Sequence, residues 1–368
     1  MVYSLVSQSE RNVFYVRTIG RLLLSAIFLV LTVLLVLAAK YAPALVFSFY
    51  PEFSRKLLSA ISSVTRVIPL AVWELLAGLA VLWLLYTFVR IFTQRRSFLC
   101  WLAGIVLGVC VGLFLFVALW GLNHFGPTVG EQLGLSVREY TKQELTDATR
   151  YYAAQMNALA DDVSRDNQGL ARLSSFEELS KQAGAGYDKL AERYALFTGS
   201  HDPVKKLATW RMFSQFGITG IFVCFTGEAC VNPDTYEVWL PFTMCHELAH
   251  RQTVAAEDGA NFCAYLACME NESPEFQYSG AIAAYVYCHN ALYKADKTAA
   301  SEIWQSLKEG VRADIQAANT HYAQYEGKVQ DAATKVNDTY LKAFSEEAGV
   351  QSYGEAADLL IAWYLEKK

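Results

Sequence analysis

The chain reads as mainly α, with three N-terminal membrane-crossing helices followed by an α+β domain that carries a small sheet. Three observations support that reading. The first third holds three apolar runs of bilayer length, and the remainder is helical in period apart from one β-rich stretch. That stretch leads directly into HELAH at 246–250, a His-Glu-x-x-His sequence.

At 368 residues the chain has room for more than one domain, and its charge divides it in two. Of 31 basic and 36 acidic residues, ten and three fall in 1–120, which leaves 21 and 33 downstream. The later part is therefore acidic and carries no basic footprint for nucleic acid. Residues 1–123 are expected to form the membrane domain, and 124–368 a separate folded domain outside the cytoplasm.

The expected spans are Leu22–Ala39, Val67–Val89 and Phe98–Leu122, each near the ~20 apolar residues that a bilayer requires. No small-residue cleavage site follows the first, so it is read as retained rather than as a signal peptide. Arg11, Arg17 and Arg21 precede span one, and Arg90, Arg95 and Arg96 lie between spans two and three. The link between spans one and two holds four cations: Lys40, Arg55, Lys56 and Arg66. Six against four places the N-terminus in the cytoplasm and, after three crossings, the domain outside it. Glu74 falls inside span two, where a carboxylate needs a partner, and helix packing is its expected role.

From Ser136, REYTKQELTDATRYYAAQMNALADDV has a Thr141-x-x-Glu144 capping box and helical spacing. SSFEELSKQAGAGYDKLAERY reads as a further helix, and both are expected as solvent-facing covers. GITGIFVCFTGEACVNPDTYEVWLP, rich in Ile, Val, Phe and Tyr and broken by Gly227 and Asn232-Pro233-Asp234, reads as short strands and turns. Helices follow at Ala260–Met269, Gly280–Lys294, Ala299–Phe344 with interruptions, and Tyr353–Leu365. Eight cysteines are too few for a disulfide scaffold, and Cys224 with Cys230 is the one pair worth testing as a bridge.

On a helix His246 and His250 share a face, so both imidazoles can hold one zinc ion while Glu247 addresses the water that the ion polarises. Glu257 lies seven residues on and opens EDGANFCAYLA. Glu257 and Asp258 also suit a helix N-terminus for purely structural reasons. E-x-x-A-N after H-E-x-x-H resembles the gluzincin metallopeptidases. The resemblance implies Glu257 as third zinc ligand, Asn261 as the residue that steadies a ligand histidine, and Asp258 as reserve ligand.

WGLN at 120–123, GITG at 217–220, FTGEACVN at 225–232, LPFTMCHELAH at 240–250, EDGANFCAYLAC at 257–268, YSG at 278–280 and VNDTYLKA at 336–343 widen the match. Together they resemble the bacterial membrane proteins grouped as domain of unknown function family 3810. Two positions depart from that pattern, which has Gly where Thr253 stands and an acid where Gly259 stands. The resemblance implies a zincin-like fold in a multi-pass protein of the bacterial cytoplasmic membrane.

The chemistry implied is amide hydrolysis, with zinc lowering the pKa of water and Glu247 taking its proton. Tyr278, Tyr340 and His289 are candidate donors to the oxyanion, and Glu228 is a candidate second carboxylate near the site. GIFVCF is placed to be a sheet edge to which a peptide or protein substrate adds as a strand. The expected partners are such a substrate and the lipid bilayer, with zinc as cofactor and neither nucleic acid nor organic cofactor. The rival reading is a non-enzymatic zinc-binding membrane protein of envelope assembly or signalling, or a zinc amide hydrolase of the cell wall. An intramembrane protease is excluded, since the apolar stretch Val238–Ala249 is too short to span.

Overall fold

The computed structural model describes residues 8–94, 97–343 and 352–368. Arg95, Arg96 and Phe344 lie outside the described residues. The chain is mainly helical with one three-stranded sheet.

Helices α1 (Gln8–Tyr41), α4 (Val72–Thr93) and α5 (Phe98–Leu119) are each long and apolar enough to cross a membrane. Twenty-two residues in α5 rise about 33 Å, close to the hydrocarbon thickness of a bilayer. No residue of α4 is buried by protein. Two boundaries differ from expectation. Val67–Leu70 lie outside α4, because Pro69 lacks an N–H and interrupts the run. The third helix stops at Leu119 and passes into a 3₁₀ turn at Gly121–Phe125.

Between the first and second of these helices lie α2 (Pro43–Val46) and α3 (Tyr50–Thr65). One face of α3 is built into the domain. Buried Arg55 donates to the carbonyls of Gln252 (3.3 Å) and Ala195, and Thr65 donates to the carbonyl of Thr226 (2.9 Å). The other face leaves Phe53 and Val64 exposed. Glu74 is in the first turn of α4, where its carboxylate accepts from the backbone N–H groups of Ala208 (2.8 Å) and Thr209 (2.9 Å). It therefore ties the helix end to the domain instead of packing mid-span.

The domain continues through α6 (Val129–Leu133), α7 (Lys142–Leu159), α8 (Phe176–Gln182), α9 (Ala185–Ala191), β1 (Lys205–Lys206), α10 (Trp210–Gln215), β2 (Gly220–Val223) and β3 (Glu228–Val231). Then come α11 (Leu240–Arg251), α12 (Glu257–Glu270), α13 (Pro274–Ala295), α14 (Lys297–Gln305), α15 (Glu309–Ala323), α16 (Lys328–Ala343) and α17 (Ser352–Lys367). Helices α11, α12 and α13 form the centre, with α7, α9 and α17 against them. Thr141 and Glu144 make the expected capping box of α7. Yet α7 and α9 are not covers: Tyr152, Met156 and Tyr187 are fully buried. Their apolar faces meet other helices, which a local period does not reveal.

The sheet order is β1-β3-β2, with β1 parallel and β2 antiparallel to β3. Gly220 pairs with Val231 and Val223 with Glu228, so β2 is an edge strand. Cys224 and Cys230 are both buried free thiols.

Glu228 is 1% exposed and is not beside the histidines. Its carboxylate accepts from Lys205 and from the N–H groups of Val72 (2.8 Å) and Trp73 (2.9 Å), which caps α4. Removing one partner of a buried ion pair costs about 3 kcal/mol or more. Glu228→Ala is expected to lower the unfolding free energy of the detergent-solubilised chain by about that amount, as read from denaturant midpoints. A change below about 1 kcal/mol would show that the pair is not a fixed point of the fold.

Candidate metal centre

Helix α11 begins with Pro241 near its N-terminus, where a missing N–H costs nothing, and carries His246 and His250 one turn apart. A short turn then leads into α12, whose first residue is Glu257. The imidazole Nε2 atoms are 3.1 Å apart, and Glu257 Oε2 is 3.3 Å from His246 Nε2. Glu257 Oε1 lies 3.8 Å from His250 Nε2.

The outer nitrogens fix the tautomers. His250 Nδ1 donates to the carbonyl of Val254 (2.8 Å), and His246 Nδ1 meets Asn261 Oδ1 (2.9 Å). The two Nε2 atoms then face one another and the Glu257 carboxylate. Nitrogens at this separation need a cation between them, either a proton or a metal ion. Tetrahedral zinc with bonds of about 2.0–2.1 Å sets its nitrogen ligands about 3.3–3.4 Å apart, close to the observed spacing. The ligand atoms of His246, His250 and Glu257 all lie within 4.8 Å of one another. Two imidazoles and a carboxylate therefore fit a metal ion of the zinc type.

Burial alone would raise the pKa of Glu257, but the histidines beside it, the hydrogen bond to His246 foremost, bring it down to about 2. Burial pushes His250 down to about 4, in spite of Glu257. Glu247 sits deeper, 4% exposed, and burial raises it to about 8 against the opposing pull of His246. Its Oε2 finds no hydrogen-bond partner among the described residues. This is the environment of a carboxylate able to take up a proton near neutral pH.

The site opens into a cavity of about 1480 Å³. That exceeds the roughly 300–1,000 Å³ of a drug-sized pocket and suits a longer ligand. One wall is the edge strand β2 with Ile218 and Thr219, another is α16, and Phe116 and Trp120, at the C-terminal end of the apolar helix α5, also line it. Gly220 on β2 lies directly against Glu247, so that a Cβ there would stand 2.7 Å from the carboxyl carbon. Only glycine leaves room for that carboxylate. Trp120 Nε1 donates to the carbonyl of His250 (3.0 Å).

Three expected residues stand elsewhere. Tyr278 OH donates to Asp314 (2.6 Å) in a buried cluster with Arg165 and does not line the cavity. His289 lies among Tyr285, Tyr293 and Trp304, away from the cavity. Glu228 caps α4. Tyr340 does line the cavity, where its hydroxyl is 3.2 Å from His124 Nε2. Asp258, the reserve ligand, is absent from the lining, whereas its neighbour Glu257 faces the histidines. Sequence reasoning missed Gly220, Trp120 and His124. Gly220 and Trp120 belong to the GITG and WGLN stretches, and His124 follows the second.

Thr253, in the turn that carries the chain from His250 to Glu257, has φ of 74°. A β-branched residue rarely adopts this left-handed conformation. Glycine does so freely, which accounts for the Gly of the family pattern at this position. At Gly259 a side chain would meet Val129 and Val254, so an acid has no room in this chain.

The family model described as protein of unknown function (DUF3810) matches residues 48–361, and the chain belongs to that family. Neither the curated proteins nor the solved structures contain a match to it.

Thr253→Gly is expected to stabilise the fold by about 1 kcal/mol, read as a raised denaturation midpoint. Asn261→Ala frees the His246 ring and is expected to weaken metal binding about 10–100-fold in competition with a chelator. Unchanged affinity would show that Asn261 does not orient the ring.

Proposed function

We propose that the chain is a membrane-anchored zinc metallopeptidase with a zincin-like domain, in which Glu247 acts as general base. The observation that carries this reading is the convergence of two imidazole Nε2 atoms and the Glu257 carboxylate on one point in a large cavity. A cavity lined by an edge strand suits an extended polypeptide, whose backbone N–H and C=O groups pair with those of β2. The domain is placed outside the cytoplasm, a placement supported by the charge count of the links.

Zinc bound there would supply Lewis-acid polarisation of a water and of a substrate carbonyl. His246, His250 and Glu257 would hold it, and Asn261 and the Val254 carbonyl would fix the two rings. Glu247, buried beside the proposed ligands, would take a proton on its carboxylate and pass it to the leaving amine. Gly220 keeps that carboxylate in place from the other side. Of the three expected oxyanion donors, Tyr340 is the one on the cavity wall, so that role is assigned to it.

The purified chain is expected to hold one zinc ion, and Ala at His246, His250 or Glu257 to remove it. Glu247→Gln should keep the metal and lower hydrolysis of a mixed peptide library by about 100-fold or more. One tight zinc retained in all three Ala variants would end the metal-site reading. Zinc without hydrolysis in wild type would shift the reading to a zinc-dependent binding protein.

A further inference from the structure

The substrate class follows from what lines the cavity, given the peptidase reading above. Phe116 lies in the last turn of α5, and Trp120 follows its final residue. Both line the cavity that contains Glu247 and the two histidines. Trp120 also touches the site directly, through its hydrogen bond to the His250 carbonyl and a ring separation of 6.0 Å from that imidazole. If α5 crosses the bilayer, Phe116 is at the hydrocarbon boundary and Trp120 at the headgroup level, where indole rings concentrate. The metal centre is then one side chain away from the membrane surface.

The exposed face of α3 supports the same placement. Phe53 and Val64 project from it, Phe49 precedes it and Val67 follows it, all four more than half exposed. Lys56 lies among them in an exposed ion pair with Glu52 (2.5 Å). An apolar face edged by charged groups suits the plane of an interface. This helix is tied through Arg55 and Thr65 to the segments that flank the site. Laid on a bilayer by this face, the underside of the domain would rest on the membrane.

The edge strand points the same way. Gly220 abuts Glu247, while Phe222, two residues on, meets Trp120 with rings 5.9 Å apart. Two extended residues cover about 7 Å. A strand laid beside β2, with its scissile bond at Glu247, reaches Trp120 within about three residues and Phe116, one helical turn lower, within about six.

We propose that the site cuts the juxtamembrane stretch of integral membrane polypeptides, at a bond about three to six residues from a transmembrane span. Phe116 and Trp120 form the threshold over which the substrate passes from bilayer to cavity. A span held in the same bilayer also raises the effective concentration of its flanking stretch, which offsets the entropy of ordering it.

The test uses the full chain in phospholipid vesicles, made inert either by Glu247→Gln or by removing zinc from wild type. Two probes are compared: a photoreactive mixed-sequence stretch of about a dozen residues, and the same stretch joined at either end to a Leu/Ala helix of about 20 residues. Crosslinks are mapped by mass spectrometry. The span-bearing probe is expected to label β2 and α16 at least about tenfold more than the free stretch, from positions about three to six residues from the helix. Phe116→Glu should reduce that labelling and leave zinc content unchanged. Equal labelling by the free stretch, labelling only from positions more than about ten residues from the helix, or no cavity labelling by either probe would overturn the proposal. Hydrolysis by zinc-loaded wild type separates the two readings. Equal cleavage of free and span-bearing stretches would overturn the juxtamembrane assignment and keep the peptidase. Cavity labelling without cleavage would keep the assignment and remove the peptidase.

Discussion

Two imidazole Nε2 atoms facing one another across 3.1 Å are the constraint on which the rest of the site depends. They need a cation between them, and the Glu257 carboxylate beside them is buried with little water to solvate it. The surrounding chain fixes these groups instead of relaxing them apart. Val254 and Asn261 hold the rings from behind, and the Thr253 turn brings Glu257 up at the required angle, although its own backbone is strained there. Gly220 gives up a side chain so that Glu247 can stand at the same point. Strain and desolvation gathered in so few residues are characteristic of a site shaped for a ligand and not for stability.

The second dependence is on the membrane helices. The His250 carbonyl is capped by an indole from the end of α5, and the Gln252 carbonyl by a guanidinium from α3. Glu74 and Glu228 bind the start of α4 and the domain to each other by backbone hydrogen bonds in both directions. The segment between the first two apolar helices is therefore an integral part of the domain. The histidine helix is thus tied by hydrogen bonds to the end of the apolar helix α5 and to α3.

How much of this was legible in the sequence depended on whether geometry is local. His246, Glu247 and His250 were readable because a helix fixes the i, i+4 relation wherever it lies. Glu257 and Asn261 were readable only through a resemblance, since they stand on the next helix and the turn between the two helices decides whether they reach the histidines. The three apolar helices followed from length and composition, and the β2–β3 hairpin from residue type and turn signals. Tyr278, His289 and Glu228 were reasonable chemical types in the wrong places, because which side of α13 or β3 faces the cavity is set by packing among distant segments. Gly220 illustrates the limit most clearly. Its value lies in an atom it does not have, opposite a residue 27 positions away, and no period or propensity encodes that.

The position of α17 bears on how the protein matures. This helix lies against α7, α12 and α13, and so backs the helix that presents Glu257. Chains emerge from the ribosome N-terminus first. The apolar helices and α11 are therefore made before the helix that steadies α12, and the support behind Glu257 is the later part of this site to arrive.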